Sequence, residues 1–292
     1  MWAALSPLRV ECKVRTEFMQ TEPDAVLTIP AAPHAGRRAW HETVRLHVGF
    51  TLLGVMCLGY SVLAIPLHVL LPRALGKRVG RRGIAGIFRV FLRALVLMRA
   101  CRFDLSELDA LKGCPAMVIA PNHPSLLDAV MILSRLPDAA CIMKADIVNS
   151  VFFGSGSRLA GYIRNMPLRT MVQSAVADLQ QGSHLLLFPE GTRTTRFPVS
   201  PLQGTTGLIA KKAGVPVQTV FIETNSRFLG KGWSVLWTPQ MPITYRIRLG
   251  KRFDPPQQTA HFARELEQYF QSELAHACMA KAPCQPGDDA SA

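Results

Sequence analysis

The chain has 292 residues, 49% of them hydrophobic, and 33 Lys and Arg against 20 Asp and Glu give it a net charge of +13. That length holds one large domain with appendages and leaves little room for two full ones. The charge calls for an acidic partner, whether phospholipid headgroups, nucleic acid or an anionic substrate. Seven cysteines without a CxxC pair read as reduced thiols facing a cytosol, and speak against zinc and structural disulfides.

In chain order, residues 1–36 are punctuated by prolines, show no sustained periodicity and read as a weakly ordered segment. They lack the positive start and apolar core of a cleaved signal peptide. Leu46 to Leu71 is the most apolar run, free of Asp, Glu, Lys and Arg. It exceeds the roughly 20 residues that cross a bilayer, so it reads as a membrane segment, with a buried core helix as the alternative. Arg73 to Arg102 then carries nine basic residues and no acidic one. Within it Ile84, Ile87, Phe88, Phe91 and Leu95 recur at helical spacing, with Arg82, Arg89 and Arg93 on another face. That pattern suits a helix lying in an anionic interface, apolar side down. Residues 37–102 are therefore read as a membrane-anchoring helical segment.

Arg37, Arg38 and Arg45 flank the apolar run on one side and Arg73, Lys77, Arg78, Arg81 and Arg82 on the other. The excess on the C-terminal side puts the bulk of the chain in the cytoplasm. Arginines interleaved with Ile, Phe and Leu beside a membrane-length run argue against nucleic acid as the acidic partner.

Residues 103–279 alternate in α/β fashion. Apolar runs at 116–120, 139–143, 184–188, 215–222, 233–237 and 243–249 read as strands, and helical patterns fall at 124–136, 170–181, 204–213 and 257–277. The expected fold is a mixed, largely parallel sheet flanked by helices. The tail, residues 280–292, is rich in Pro, Gly and Asp and reads as disordered.

Two stretches carry chemistry. In the first, Asn122-His123-Pro124-Ser125-Leu126-Leu127-Asp128 follows a buried strand, with Pro124 suited to the first helical position. A histidine at that cap can swing over the first turn. The Asp128 carboxylate could then hold one ring nitrogen and leave the other as a general base. In the second, the strand His184–Phe188 stops at Pro189-Glu190-Gly191-Thr192-Arg193. A strand ending in such a turn exposes backbone N–H groups at the carboxyl edge, where open α/β sheets bind ligands. Arg193 adds a planar cation suited to phosphate.

Together these stretches resemble the glycerolphosphate acyltransferase family, of the 1-acyl-glycerol-3-phosphate (lysophosphatidic acid) acyltransferase type. The family's His-x4-Asp block matches His123 to Asp128, and its Phe-Pro-Glu-Gly-Thr-Arg block matches Phe188 to Arg193. Gly161-Tyr162-Ile163-Arg164 approximates a third block and Val215-Pro216-Val217 a fourth. The resemblance implies a fatty acyl transfer from acyl-CoA or acyl-carrier protein to a lysophospholipid hydroxyl, by default that of 1-acyl-sn-glycerol-3-phosphate. It implies His123 and Asp128 as catalytic residues and Glu190, Gly191, Thr192, Arg193 and Arg164 at the substrate. It implies no metal and no cofactor beyond the acyl co-substrate, and a cytoplasmic-membrane location.

One departure stands out: members commonly carry a lysine where this chain has Gln203, which opens the choice of another lyso-lipid or a specialised lipid as acceptor. A hydrolase reading fails for want of a Gly-x-Ser-x-Gly elbow. A membrane-peripheral lipid-binding protein is the non-enzyme alternative, and it has no need of the His123/Asp128 pair.

Overall fold

The computed structural model describes residues 37–279 except 166, 235 and 236, with side chains from 40 to 275. The expectations for residues 1–36 and 280–292 lie outside the described residues. Two long helices lead, α1 (Arg37–Leu70) and α2 (Arg73–Leu97). Pro72 parts them, because a proline disfavours the helical conformation of the residue before it. Then follow β1 (Cys101–Asp104), a 3₁₀ turn (Ser106–Leu111), β2 (Val118–Pro121), α3 (Leu127–Arg135), β3 (Ala139–Met143), α4 (Ala145–Val148) and α5 (Gly154–Leu159). The chain continues with β4 (Ile163–Arg164), α6 (Leu168–Gln180), β5 (His184–Leu186), α7 (Thr205–Ala213), β6 (Val217–Thr224), β7 (Ile243–Phe253) and α8 (Thr259–Met279).

The seven strands form one sheet in the order β1-β7-β6-β2-β5-β3-β4. Only β6 and β7 run antiparallel; every other neighbouring pair is parallel. The expected mixed, largely parallel sheet flanked by helices is borne out. Central strands are covered on both faces, which is why β2 is buried at every position and reads as an unbroken apolar run. Ile119, Leu186 and Val220 face a core shared with Ile84, Phe88 and Phe91 of α2 and Met131 of α3. Val118, Ala120 and Leu185 face the other core, with Ile209 of α7 and Phe262 and Leu266 of α8.

The structure corrects the reading of α2. Its apolar stripe of Ile84, Phe88, Phe91 and Leu95 is buried in the protein core and does not face lipid. A stripe recurring every three or four residues states only that one face leaves water, not what covers it. Arg81 is likewise buried, donating to Asp178 at 2.7 Å, to the Ala160 carbonyl at 2.9 Å and to Ser183 at 2.8 Å. Lys77 reaches the other oxygen of Asp178 at 2.6 Å. These contacts fasten α2 to α6 and the start of β5. Gly80 lets α2 approach α5 closely, since a Cβ there would fall 2.5 Å from the Ala160 backbone nitrogen.

In contrast to α2, α1 keeps an apolar outer face. Its stretch Trp40–Leu70 contains an 18-residue window of mean hydropathy 2.1 and is long and apolar enough to cross a membrane. Leu46, Cys57, Ser61 and Ala64 are buried against the domain, while Val48, Val55, Val62, Leu63 and Val69 are exposed.

Two strands escape the sequence reading, and the described residues of one expected strand, 233–237, form no strand. β1 alternates with charged residues at the sheet edge and β4 is two residues long, so neither gives an apolar run. Around 233–237, Trp233 and Trp237 meet edge-on at 5.9 Å, and Trp237 N–H closes a turn on the Ser234 carbonyl. Aromatic content imitated a strand there. Cys57, Cys101 and Cys141 are free thiols. Cys114 is disulfide-bonded, against the expectation of reduced thiols throughout; pairing follows spatial proximity, which spacing along the chain does not give.

Candidate active site

Because β2 runs parallel to both β5 and β6, the carboxyl ends of all three open on one edge of the sheet. Ligands of open α/β sheets bind along that edge. β2 delivers Asn122 and His123 there, β5 delivers Phe188 to Arg193, and β6 delivers the connection 225–242. The buried Asn122 amide ties the first to the third, accepting the Ile222 N–H at 2.7 Å and donating to the Ile222 carbonyl at 3.0 Å.

His123 does not sit directly at a helix cap. The helix begins at Leu127, three residues beyond Pro124, after a turn. The cause is the Asp128 carboxylate, which accepts the Ser125 N–H at 2.8 Å and shapes that turn as a capping group. The same Oδ2 lies 2.8 Å from Nδ1 of His123. With Asp128 ionised, Nδ1 carries the proton and donates it, leaving Nε2 without a protein hydrogen bond among the described residues. The ring also stacks on Phe188, with centroids 3.8 Å apart and planes 19° from parallel. Carboxylate and phenyl together fix one tautomer and one orientation, while the imidazole keeps 15% of its surface open.

Asp128 itself is fully buried, and its Oδ1 has no hydrogen-bond partner. Burial pushes its carboxyl above the usual carboxylate range, with the His123 contact pulling the other way.

Glu190 is placed differently from its expected substrate contact. It is buried, and Oε1 accepts the His123 backbone N–H at 2.9 Å and the Thr194 hydroxyl at 2.7 Å, while Oε2 accepts the Ser200 N–H at 2.9 Å. A carboxylate so engaged braces the site from beneath. Thr194 N–H returns to the His123 carbonyl at 2.8 Å, so the two motifs are laced together.

Gly191 and Thr192 lie at the edge, exposed and half-buried. Gly191 has a φ of +67°, which favours glycine, and the Gln203 amide packs on it; a Cβ would fall 2.2 Å from the amide nitrogen, so any other residue would strain the backbone and displace Gln203. Arg193 is half-buried, its Nη1 donating to the carbonyls of Leu229 at 2.8 Å and Gly230 at 2.9 Å. Its planar group is thus partly committed to the protein. Arg164 is exposed on β4, three strands from β2, which is about 14 Å at the usual strand spacing.

Sequence reasoning missed Thr194, Ser200, Ser125 and Tyr245. Ser125 is fully buried, donates to the Phe228 carbonyl at 3.0 Å and lies 3.2 Å from the Tyr245 hydroxyl. Only Ser125 carried a signal, through its place inside the His-x4-Asp block. Beside it a small apolar cavity is walled by Leu46, Gly49 and Phe50 of α1 together with Leu127, Phe228 and Leu229. Among the described residues no three His, Cys, Asp or Glu side chains gather to hold a metal ion.

The chain is similar to known proteins. Residues 102–223 fit the family model described as Acyltransferase. Over that stretch the chain is similar to the acyltransferase family. The family expected from the four sequence blocks is thereby borne out, and the matched stretch contains both motifs. The chain is 28% identical over 161 residues to the lyso-ornithine lipid O-acyltransferase of Rhodobacter capsulatus, covering 52% of this chain and 58% of that protein. It is 26% identical over 176 residues to the human 1-acyl-sn-glycerol-3-phosphate acyltransferase beta, covering 58% of this chain and 62% of that protein. The match therefore spans less than two thirds of either relative. The crystal structure of the 1-acyl-sn-glycerophosphate acyltransferase of Thermotoga maritima superposes with a TM-score of 0.63 at 20% identity, over 85% of this chain and 98% of that one. That likeness shows a shared fold.

Proposed function

We propose that this acyltransferase-family chain is a membrane-associated O-acyltransferase moving a fatty acyl group from a thioester, acyl-CoA or acyl-carrier protein, to the hydroxyl of a lysophospholipid. The observation that carries the reading is the 2.8 Å contact of His123 Nδ1 with the buried Asp128, which leaves Nε2 toward the open sheet edge.

The acceptor hydroxyl gives its proton to Nε2 as its oxygen attacks the thioester carbonyl carbon. The tetrahedral adduct expels the thiolate, which takes the proton back from the imidazolium. Asp128 holds the tautomer and stabilises the charged ring. Positioned base catalysis of this kind contributes about 10²–10⁴ in rate. No enzyme nucleophile enters. Gly191, Thr192 and the uncommitted part of the Arg193 guanidinium would receive the acceptor headgroup, with Arg164 farther along the edge.

The outward apolar face of α1 supports attachment to a phospholipid surface, with the domain on its cytoplasmic side. Charges placed on that face, as Val55→Glu with Val62→Glu, should release the protein from anionic vesicles.

The default acceptor is 1-acyl-sn-glycerol-3-phosphate. Gln203, a neutral amide packed on the motif glycine, favours a second acceptor, a lyso-lipid without a phosphomonoester. The likeness to a lyso-ornithine lipid enzyme agrees with that choice. The test is purified protein on vesicles with both thioester donors and a panel of both acceptors, read by product mass. Product from neither acceptor with either donor refutes the reading.

A further inference from the structure

Leu229 is a leucine where the backbone asks for a glycine. It is buried, yet its φ is +56°, in the left-handed region that bulky side chains avoid. Strain of this kind persists only where the surroundings enforce it. What enforces it is visible. The Leu229 carbonyl accepts two donors from two different motifs, the Leu126 N–H at 3.1 Å and Arg193 Nη1 at 2.8 Å. On either side, the Phe228 carbonyl takes the Ser125 hydroxyl at 3.0 Å and the Gly230 carbonyl takes Arg193 Nη1 at 2.9 Å. Gly230 also comes close enough to Pro124 that a Cβ would lie 3.3 Å from the Pro124 carbonyl oxygen. Three successive carbonyls thus point into one joint between the His123–Asp128 turn and the Glu-Gly-Thr-Arg turn.

We infer that Leu229, through its left-handed backbone, is a positioning residue for acyl transfer: its carbonyl sets Arg193 relative to the His123–Asp128 dyad. The inference rests on the function proposed above. In a right-handed or extended conformation the residue 229 carbonyl would swing away. Arg193 Nη1 and the Leu126 N–H would then lose a shared acceptor, and the distance from headgroup site to base would no longer be fixed. The same turn touches α1, where Phe50 stacks on Phe228 at 6.2 Å. The joint is therefore held from the lipid-facing helix as well as from the motifs.

The test uses two substitutions that separate backbone from side chain, in the full chain on vesicles. Leu229→Gly keeps the left-handed conformation without steric cost and loses the packing. Leu229→Val keeps an apolar side chain and disfavours the conformation. A positioning role predicts that L229G keeps kcat within about threefold of the parent, while L229V loses about 10²-fold in kcat with donor KM little changed. The reverse order, valine active and glycine not, would overturn the inference and make Leu229 a packing residue. Ser125→Ala provides a second measurement should either variant unfold. Stripping the tether on the Phe228 carbonyl should lower kcat about tenfold at unchanged donor KM, and an unaltered kcat would count equally against the joint. An inactive parent protein refutes the acyltransferase reading; an active parent with the reversed order refutes only the role of Leu229.

Discussion

The Glu190 carboxylate accepts the backbone N–H of His123 at 2.9 Å across 67 residues of chain. That bond makes the two motifs one object: the residue that carries the imidazole hangs from the acid of the Glu-Gly-Thr-Arg turn. Glu190 is a support rather than a ligand, since its other contacts, Thr194 and Ser200, also belong to the protein.

Glu190→Gln would set an amide NH₂ against one of those donors. The expected cost is about 1–3 kcal/mol for a buried donor left unpaired. Thermal unfolding should show the loss, with kcat falling alongside it because the His123 backbone loosens. A variant as stable as the parent would contradict the bracing role.

Asp128→Asn should trade activity for stability. The buried carboxyl has its folded pKa raised by burial, while an unfolded aspartate titrates near about 3.9. Below that value both states are protonated and burial costs nothing. As pH rises, the unfolded chain releases its proton first, so the parent loses stability through the folded pKa. Asn carries no such charge. D128N should therefore gain in Tm at pH 7–8, with the gain vanishing in acid, while kcat drops by about 10²–10⁴ through loss of the tautomer lock. Equal Tm at both pH values would refute the burial argument.

How much of this was legible beforehand differs by residue. Strand β2 and the motif residues His123 to Asp128 could be placed because a fully buried strand leaves a continuous apolar run and the spacing is local. The roles of Glu190 and Arg193 could not, because each bonds to a segment far along the chain, Glu190 to His123 67 residues away and Arg193 to Leu229 and Gly230 36 and 37 residues away. The α2 stripe misled for a related reason: lipid and protein core impose the same periodicity. Leu229 was invisible, since leucine has no sequence signature for a positive φ.

Asp178→Ala should be the most damaging change away from the site. It leaves the Arg81 guanidinium, 6% exposed, without its carboxylate. Removing one partner of a buried pair costs about 3–5 kcal/mol. Lys77→Ala at the more exposed end, 36% open, should cost no more than about 1 kcal/mol. Chemical denaturation of both variants checks the ordering, and similar losses would contradict it.

Gln203→Lys should shift acceptor choice. An ammonium on the Gly191 turn adds a cation beside Arg193, so kcat/KM for 1-acyl-sn-glycerol-3-phosphate should rise about tenfold relative to a lyso-lipid lacking phosphate. A competition assay with both acceptors reads the ratio directly. No change in the ratio would remove Gln203 from the acceptor site.

The central claim is that the His123 imidazole, steadied by Asp128, is the base that activates the acceptor hydroxyl. It is tested most directly by turnover of His123→Ala on vesicles, with folding and vesicle binding checked in parallel. The variant should stay folded and vesicle-bound while its kcat falls by about 10²–10⁴. A folded variant that keeps most of its transferase activity would contradict it.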